Sequence, residues 1–292
     1  MSESMKVGWI GLGAMGAPMV AAASRAGHSI TAFDLNPEAL AGLPPEVGPA
    51  RSARKAAEGA DVVVIMVATG TQLNSVLFGE DGISEVLSQR TTVLVMSTVG
   101  PAALQEAADS LAPITRRIVD APVSGGVARA RTGELLVMVG GDASDVATVA
   151  PLLEAVAATY PVVGAQPGDG QKFKVVNQLL CGVHIAAAGE ALALADSMGL
   201  DVEQCHRVLG SGAAQSFMFQ DRGARMLREE YDDVRSALNI FVKDMGLVTD
   251  AARQSDQPVP LASAAEQLYV RGRREGLGRL DDSVIYRMLR QR

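Results

Sequence analysis

A strand-like segment, Lys-Val-Gly-Trp-Ile at 6–10, runs directly into Gly11-Leu12-Gly13-Ala14-Met15-Gly16, and a helical pattern over Met15–Ala26 follows at once. Glycines at this spacing between a strand and a helix mark the first turn of a βαβ unit. The first permits the tight turn, the second lets a pyrophosphate approach the backbone, and the third allows the helix to pack close to the strand. Phosphates then lie on a helix N-terminus, where free N–H groups and the helix dipole favour an anion. Residues 11–16 are therefore candidate dinucleotide-binding residues.

The next strand candidate, Ser29–Phe33, is followed by Asp34, eighteen residues beyond Gly16. An acid about 20 residues past the glycines binds an adenine-ribose hydroxyl pair and repels a 2′-phosphate. Leu35 and Asn36 supply no arginine to hold such a phosphate, so NAD is favoured over NADP. An ordinary helix cap is the alternative for Asp34, because Asp34-Leu-Asn-Pro also opens a helix.

Beyond this unit the alternation continues. Val62–Val67, Val93–Met96, Ile118–Asp120 and Leu135–Val139 are strand candidates, several apolar at nearly every position, as suits strands buried on both faces. Pro37–Ala41, Ser52–Glu58, Thr71–Leu77 and Pro101–Leu111 read as crossover helices. Met66 and Val67, closing one strand candidate, are counted with the cofactor-binding residues. The pattern predicts a mainly parallel sheet covered on both sides. After Tyr160–Val163 the pattern changes, and Gly164–Gly170 reads as a hinge. From Gln171 onward only helices are expected: Gln171–Met198, Asp201–Leu209 with Asp201 and Gln204 as a capping box, Phe217–Arg228, Ser236–Ala252, Leu261–Arg273, and Asp281–Leu289 with paired aspartates at its start. The predicted organisation is an α/β domain with a mainly parallel sheet over 1–164 and an all-α domain over 165–292, joined by a long interdomain helix. Two domains also suit 292 residues at ~150 per domain.

Composition excludes several classes. A formal net charge of −7 argues against a nucleic-acid partner, and seven arginines over Arg271–Arg292 read as a solvated helix face. The longest unbroken apolar run, Val62–Ala68, falls short of the ~18 residues of a membrane span, and MSESMKVGWI lacks a secretory pattern. No membrane partner and a cytoplasmic location are expected. Cys181 and Cys205 form no CxxC pair, and His28, His184 and His206 are scattered, so no metal site is expected. Of 26 basic residues, lysine occurs only at 6, 55, 172, 174 and 243, so a lysine inside a polar motif is informative: it can lose its proton where arginine cannot.

Two polar segments stand out. Asp120-Ala-Pro-Val-Ser124-Gly125-Gly126 follows a strand at the sheet edge where parallel sheets bind ligands, and its hydroxyl and consecutive amides can cradle a carboxylate. Within Gln171–Met198, Lys174, Asn177, Cys181 and His184 fall on one helical stripe about 80° wide. Lys174 is the best candidate general base, a role that needs its pKa to fall from ~10.4 to roughly 7–8. Asn177, one turn on, can hold the reacting oxygen. Cys181 and His184 also suit plain packing, and Lys243-Asp244, by position alone, reads as an exposed ion pair.

Taken together, GLGAMG, DAPVSGG, the lysine segment from Gly168 to Gln178, and FVKDMGL resemble the β-hydroxyacid dehydrogenase family over essentially the whole chain. The resemblance implies a Rossmann-like domain and a helical domain in a homodimer or homotetramer acting on a small hydroxy acid. It implies that the catalytic lysine of GxGxxxKxxN is Lys174 rather than Lys172. Ser124, Gly125 and Gly126 would hold the substrate carboxylate, Asn177 would bind substrate, and Thr98 and Lys243 would contact the cofactor region. Gln178 stands where many members have a second asparagine. The segments NQLLCGVHIAAAGEALALA, SFMFQDR, ALNIFVKDMGLV and GLGRLDDS are most similar to members acting on a four-carbon sugar acid. Semialdehyde reduction, oxidation of a branched hydroxy acid, and a non-catalytic NAD sensor are the alternatives.

Overall fold

The computed structural model describes residues 4–290, so the first three residues of the N-terminal reading and Arg292 lie outside it. The chain divides into two compact units, Met1–Lys174 and Val175–Arg292.

In the first unit the strands are β1 (Lys6–Ile10), β2 (Ser29–Phe33), β3 (Gly48–Pro49), β4 (Val62–Ile65), β5 (Thr92–Val95), β6 (Ile118–Asp120), β7 (Val123–Ser124), β8 (Leu135–Val137), β9 (Val139–Gly140), β10 (Ala157–Thr159) and β11 (Val162–Gly164). Between them lie α1 (Gly16–Arg25), α2 (Pro37–Ala41), α3 (Ala53–Ala57), α4 (Gly70–Phe78), α5 (Pro101–Leu111), α6 (Gly126–Thr132) and α7 (Ala143–Val156). Eight strands form one sheet in the order β11-β9-β6-β5-β4-β1-β2-β3, parallel throughout except for the β6–β9 pair; β10, β8 and β7 form a small second sheet.

The apolar runs follow from burial on both faces. Val7, Trp9, Val62, Val64 and Leu94 enter one core with Met19 and Val20 of α1 and Leu152 of α7. Ile10, Val63, Ile65, Val93 and Val95 enter the other with Leu73 and Leu77 of α4 and Leu104 of α5. The period of two sends successive residues to opposite layers, and each fully buried side chain of this size contributes about 1.5–3 kcal/mol. Chain order reverses between β1 and β4: β2 and β3 lie to one side, β5 and β6 to the other. A doubly wound sheet binds its ligand at such a switch point, outside the C-terminal ends of the strands.

The sequence reading needs three corrections here. Leu135–Val139 is not one strand: β8 belongs to the small sheet and β9 to the large one, with the Met138 amide donating to the Pro122 carbonyl at the crossing. Strands β10 and β11, which Tyr160 and Pro161 separate, escape the sequence reading. Helices α6 and α7 escape the sequence reading, α6 for its seven residues and α7 because Pro151 sits inside it. Burial of Val149, Leu152, Leu153 and Val156 holds α7 together across that proline.

The second unit contains the helices α9 (Val202–Leu209), α10 (Phe217–Arg228), α11 (Leu238–Gln254), α12 (Pro260–Arg274) and α13 (Ile285–Leu289), and no strand among the described residues beyond an isolated Ala237–Asp281 bridge. The preceding helix, α8 (Asp169–Ser197), starts within the first unit, so the division at 174/175 falls ten residues later than the expected 164/165. The cause is the first turn of α8, which is hydrogen-bonded to the sheet side as described below. Helix α8 is also, by length and composition, the one helix among the described residues apolar enough to cross a membrane, which a search for unbroken apolar runs overlooks. Its buried polar residues Gln171, Lys174 and Gln178 are features of a helix packed in protein.

The helical core gathers Ile185 and Leu192 of α8, Phe241, Met245 and Val248 of α11 and Tyr269 of α12. Phe241 stacks on Tyr269 with ring centroids 5.3 Å apart, and the Tyr269 hydroxyl donates to the Gly182 carbonyl at 2.8 Å. Beside it lies a buried charge network. Arg225 donates to Asp281 and Asp221, both at 2.6 Å, while Arg222 holds Asp282 through two 3.0 Å bonds. Asp281 and Asp282 are completely buried, so the paired aspartates do more than favour a helix N-terminus: Asp281 does cap the turn at Ser283, but both carboxylates are the acidic half of this network. The described arginines of the C-terminal stretch, from Arg271 to Arg290, are exposed as expected.

Candidate active site

The glycine turn sits at the switch point. Gly11 follows β1 with φ of 100°, and a side chain there would bring Cβ within 2.1 Å of the Met66 carbonyl oxygen. Gly16 opens α1 so close to the turn that a Cβ would lie 2.1 Å from the Gly11 oxygen. At Gly13 a Cβ would meet no protein atom within 4 Å: the space beside it is open. No side chain caps the N-terminus of α1. The helix N-terminus and the open space at Gly13 fit a dinucleotide pyrophosphate, with Leu12, Ala14 and Met15 completing the turn.

Asp34 is tied to this turn. Its carboxylate accepts the Leu12 amide at 2.6 Å through one oxygen and the Asn36 amide at 2.8 Å through the other, while Gly11 donates to the Phe33 carbonyl. The cap of α2 is Asn36, whose side chain accepts from Glu38, so the helix-cap alternative for Asp34 does not hold. On the neighbouring strand, the Met66 amide donates to the Ile10 carbonyl, and the Val67 amide donates to Ser97 Oγ at 2.7 Å. Ser97 in turn donates to the Ile65 carbonyl, which holds the half-buried Thr98 at the mouth of β5. Gly11, Asp34, Met66, Val67 and Thr98 thus all follow the C-terminal ends of neighbouring strands.

Asp120 ends β6, and Ser124 ends the two-residue β7 in a half-buried position. Gly125 and Gly126 follow with φ of 132° and 73°, a backbone that turns successive amides toward one side and that residues with side chains rarely adopt. Asp120 itself is completely buried. Burial pushes its carboxyl up to about 7, against the Gly168 and Gln171 amides that pull it down.

The two lysines of α8 are sorted by burial. Lys172 is exposed and paired with Asp169 at 2.8 Å, a hydrogen bond that holds Asp169 below the usual carboxylate range. Lys174 is 6% exposed. Asn177 is half-buried and donates to Gln178 Oε1 at 2.8 Å and to Cys181 Sγ at 3.5 Å, so Asn177 and Cys181 share a helix face as their spacing requires; His184 is half-buried one turn on. Gln178 extends the chain of bonds by donating to Asp244 at 2.5 Å, and Asp244 pairs with Lys243 at 2.9 Å.

That pair corrects the reading of an exposed ion pair. Asp244 is 3% exposed, and Lys243 is mostly covered. The signal was available, since Asp244 lies three residues after Phe241 and four before Val248 and so falls on the buried stripe of α11. Gln171 escapes the sequence reading and Gln178 enters it only as a departure from the family pattern: both are polar residues on an apolar helix, and only tertiary structure reveals their partners.

Known proteins resemble this chain along nearly its whole length. Residues 6–164 match the family model described as the NAD binding domain of 6-phosphogluconate dehydrogenase, and residues 168–289 match the NAD-binding domain of NADP-dependent 3-hydroxyisobutyrate dehydrogenase. The L-threonate dehydrogenase of Escherichia coli K12 is 41% identical over 286 residues, which cover 97% of this chain and 94% of the relative. The 2-hydroxy-3-oxopropionate reductase of the same organism is 33% identical, covering 98% and 97%. A crystal structure of 3-hydroxyisobutyrate dehydrogenase from Salmonella typhimurium superposes with a TM-score of 0.89 at 40% identity, covering 97% of this chain and 99% of that one.

Proposed function

The chain belongs to the β-hydroxyacid dehydrogenase family, an NAD(P)-dependent group acting on CH–OH, and on that footing we propose that it oxidises L-threonate with NAD, using Lys174 as general base. The observation that carries the catalytic assignment is the contrast within one helical turn: Lys172 is exposed and ion-paired, Lys174 is buried. The substrate assignment rests on the 41% identity to an L-threonate dehydrogenase along nearly the whole chain.

When bound, the dinucleotide supplies the acceptor for hydride from the carbinol carbon. Lys174 Nζ takes the hydroxyl proton as the carbonyl forms, and in the reverse direction gives it back. Ser124 and the amides of Gly125 and Gly126 hold the substrate carboxylate, and Asn177, on the same helix one turn beyond Lys174, holds the reacting oxygen. Gly11 through Gly16, Asp34, Met66, Val67, Thr98 and Lys243 serve the cofactor. Asp34 would select NAD, because a carboxylate after the second strand repels a 2′-phosphate.

Asparagine at position 34 keeps the shape and one oxygen to accept the Leu12 amide, gives up the acceptor for the exposed Asn36 amide, and removes the charge. Asp34→Asn is therefore expected to lower the NAD-to-NADP ratio of kcat/KM by about tenfold, roughly 1.4 kcal/mol. An unchanged ratio would remove Asp34 from cofactor selection.

The protein is further assigned to the cytoplasm and to a homodimer or homotetramer. Phe173, Val176, Leu180, Leu194 and Met198 are exposed along one stripe of α8, on the side of the helix away from Lys174. Exposed apolar side chains near both ends of one helix face support burial against another copy.

Purified protein assayed for NADH formation against L-threonate, D-threonate, D-glycerate, L-serine and 3-hydroxyisobutyrate, with NADP in parallel, tests the whole reading. L-Threonate with NAD is expected to give the highest kcat/KM by at least about tenfold, the discrimination that 1.4 kcal/mol provides. NADH formation from D-glycerate, the alcohol form of 2-hydroxy-3-oxopropionate, without turnover of L-threonate would make the protein a semialdehyde reductase read in reverse. NAD binding with no turnover at all would make it a sensor.

A further inference from the structure

The first turn of α8 is fastened by two buried side chains to which the reaction above gives no role. One oxygen of Asp120 accepts the Gly168 amide at 2.9 Å, and the other accepts the Gln171 amide at 2.7 Å. These amides belong to the start of a helix, where N–H groups have no partner within the helix. Asp120 thus does the work of a capping residue from 48 and 51 positions away in sequence.

Gln171 fastens the same turn to a second strand end. Its side-chain oxygen accepts the Val99 and Gly100 amides, both at 3.1 Å, and its side-chain NH2 donates to the Ser97 carbonyl at 2.9 Å. It is fully buried, and every one of these bonds is to backbone. The segment held in this way carries Thr98.

Nothing in the surroundings allows slack. A Cβ at Gly170 would lie 2.4 Å from the Met138 oxygen and 2.8 Å from Asp120 Oδ2, and one at Gly140 would lie 2.5 Å from Asp120 Oδ1. Both glycines are required for the helix start to approach the sheet. Lys174 follows Gln171 by three residues, less than one turn along a rigid helix, so its position is set by where this turn is fastened.

We propose that Asp120 is a positioning residue for proton transfer: by capping the first turn of α8 it fixes where Lys174 stands relative to the 97–100 segment that Gln171 holds. The proposal rests on Lys174 being the base. A displacement of about 1 Å at a reacting group costs up to about 100-fold in rate, so loosening the turn reads out as lost turnover.

The test is a double-mutant cycle between Asp120→Asn and Lys174→Ala, with kcat and NADH affinity by fluorescence titration measured for all four proteins. Asparagine is isosteric but accepts only one of the two amides, and its own NH2 then faces the other. Asp120→Asn is expected to lower kcat about 10- to 100-fold when Lys174 is present and less than about threefold when position 174 is alanine, with NADH affinity within about threefold throughout. Gln171→Asn, shortened by one methylene, is expected to show the same collapse and carries the test should Asp120→Asn not fold. Equal losses in both backgrounds would overturn the proposal, because a residue that only supports the fold or the substrate acts whether or not the amine is there. Native kcat in Lys174→Ala alone would instead remove the base assignment.

Discussion

Alanine at position 174 is expected to lower kcat by about 10²–10⁴-fold, the range a positioned acid–base group contributes, while NADH affinity changes less than about threefold. The proton on the substrate hydroxyl must leave as the carbonyl forms, and without the amine only water can take it. Arginine at the same position separates proton transfer from charge. It keeps the cation and the reach but does not give up its proton in a protein, so Lys174→Arg is expected to fall within about tenfold of the alanine variant. Initial rates of NADH formation at saturating substrate check both. An arginine variant within tenfold of the native enzyme would leave position 174 with an electrostatic role only.

Methionine in place of Arg225 is expected to destabilise the helical unit by about 3–5 kcal/mol, the cost of leaving a buried charge without its partner. Asp281 would keep the Arg235, Ser236 and Ser283 amides and the Ser283 hydroxyl, but these are dipoles where a full cation stood. Asp282 keeps Arg222, and the part-exposed Asp221 loses Arg225 but also keeps Arg222, so the uncompensated buried charge is that of Asp281. Urea unfolding followed by circular dichroism measures the change. The lone tryptophan, Trp9, lies in the core of the first unit, so its fluorescence transition serves as an internal control that should not move. A loss below about 1 kcal/mol would mean that Arg222 takes over both aspartates.

What could be read in advance divides by range. The strands around Val62 and Val93 were legible because burial on two faces leaves an unbroken apolar run, and the turn at Gly11–Gly16 because each glycine answers a separate steric demand. Asp201 and Ser216 begin helices as caps within their own neighbourhoods, accepting from Gln204 and Phe219. Where local and tertiary preferences oppose one another, the reading failed. Pro151 argues against a helix, yet four buried apolar residues keep α7 continuous. Val137 and Val139 look like one strand and belong to two sheets.

The site shows the same division. Asp34, Ser124 and Lys174 stand in motifs whose spacing carries their chemistry. The partners that hold them do not: Asp120 meets Gln171 across 51 residues, and Gln178 meets Asp244 across 66. No period or spacing records such pairs, because the contact exists only once the elements have packed. Asp244 is the instructive miss, since its place on the apolar stripe of α11 pointed to burial while its charge pointed to the surface, and pairing with Lys243 resolves the conflict.

The outermost strands of the large sheet have a consequence for how copies of this chain meet. A parallel sheet that ends in a long regular strand offers unpaired N–H and C=O groups as a template for another chain. Here β3 is only Gly48–Pro49 and includes a residue with no N–H to donate, while β11 is three residues long and directly follows Pro161. The sheet is therefore self-terminating at both margins. Edge-to-edge growth of the kind that seeds fibrils has no starting row at either margin of this sheet.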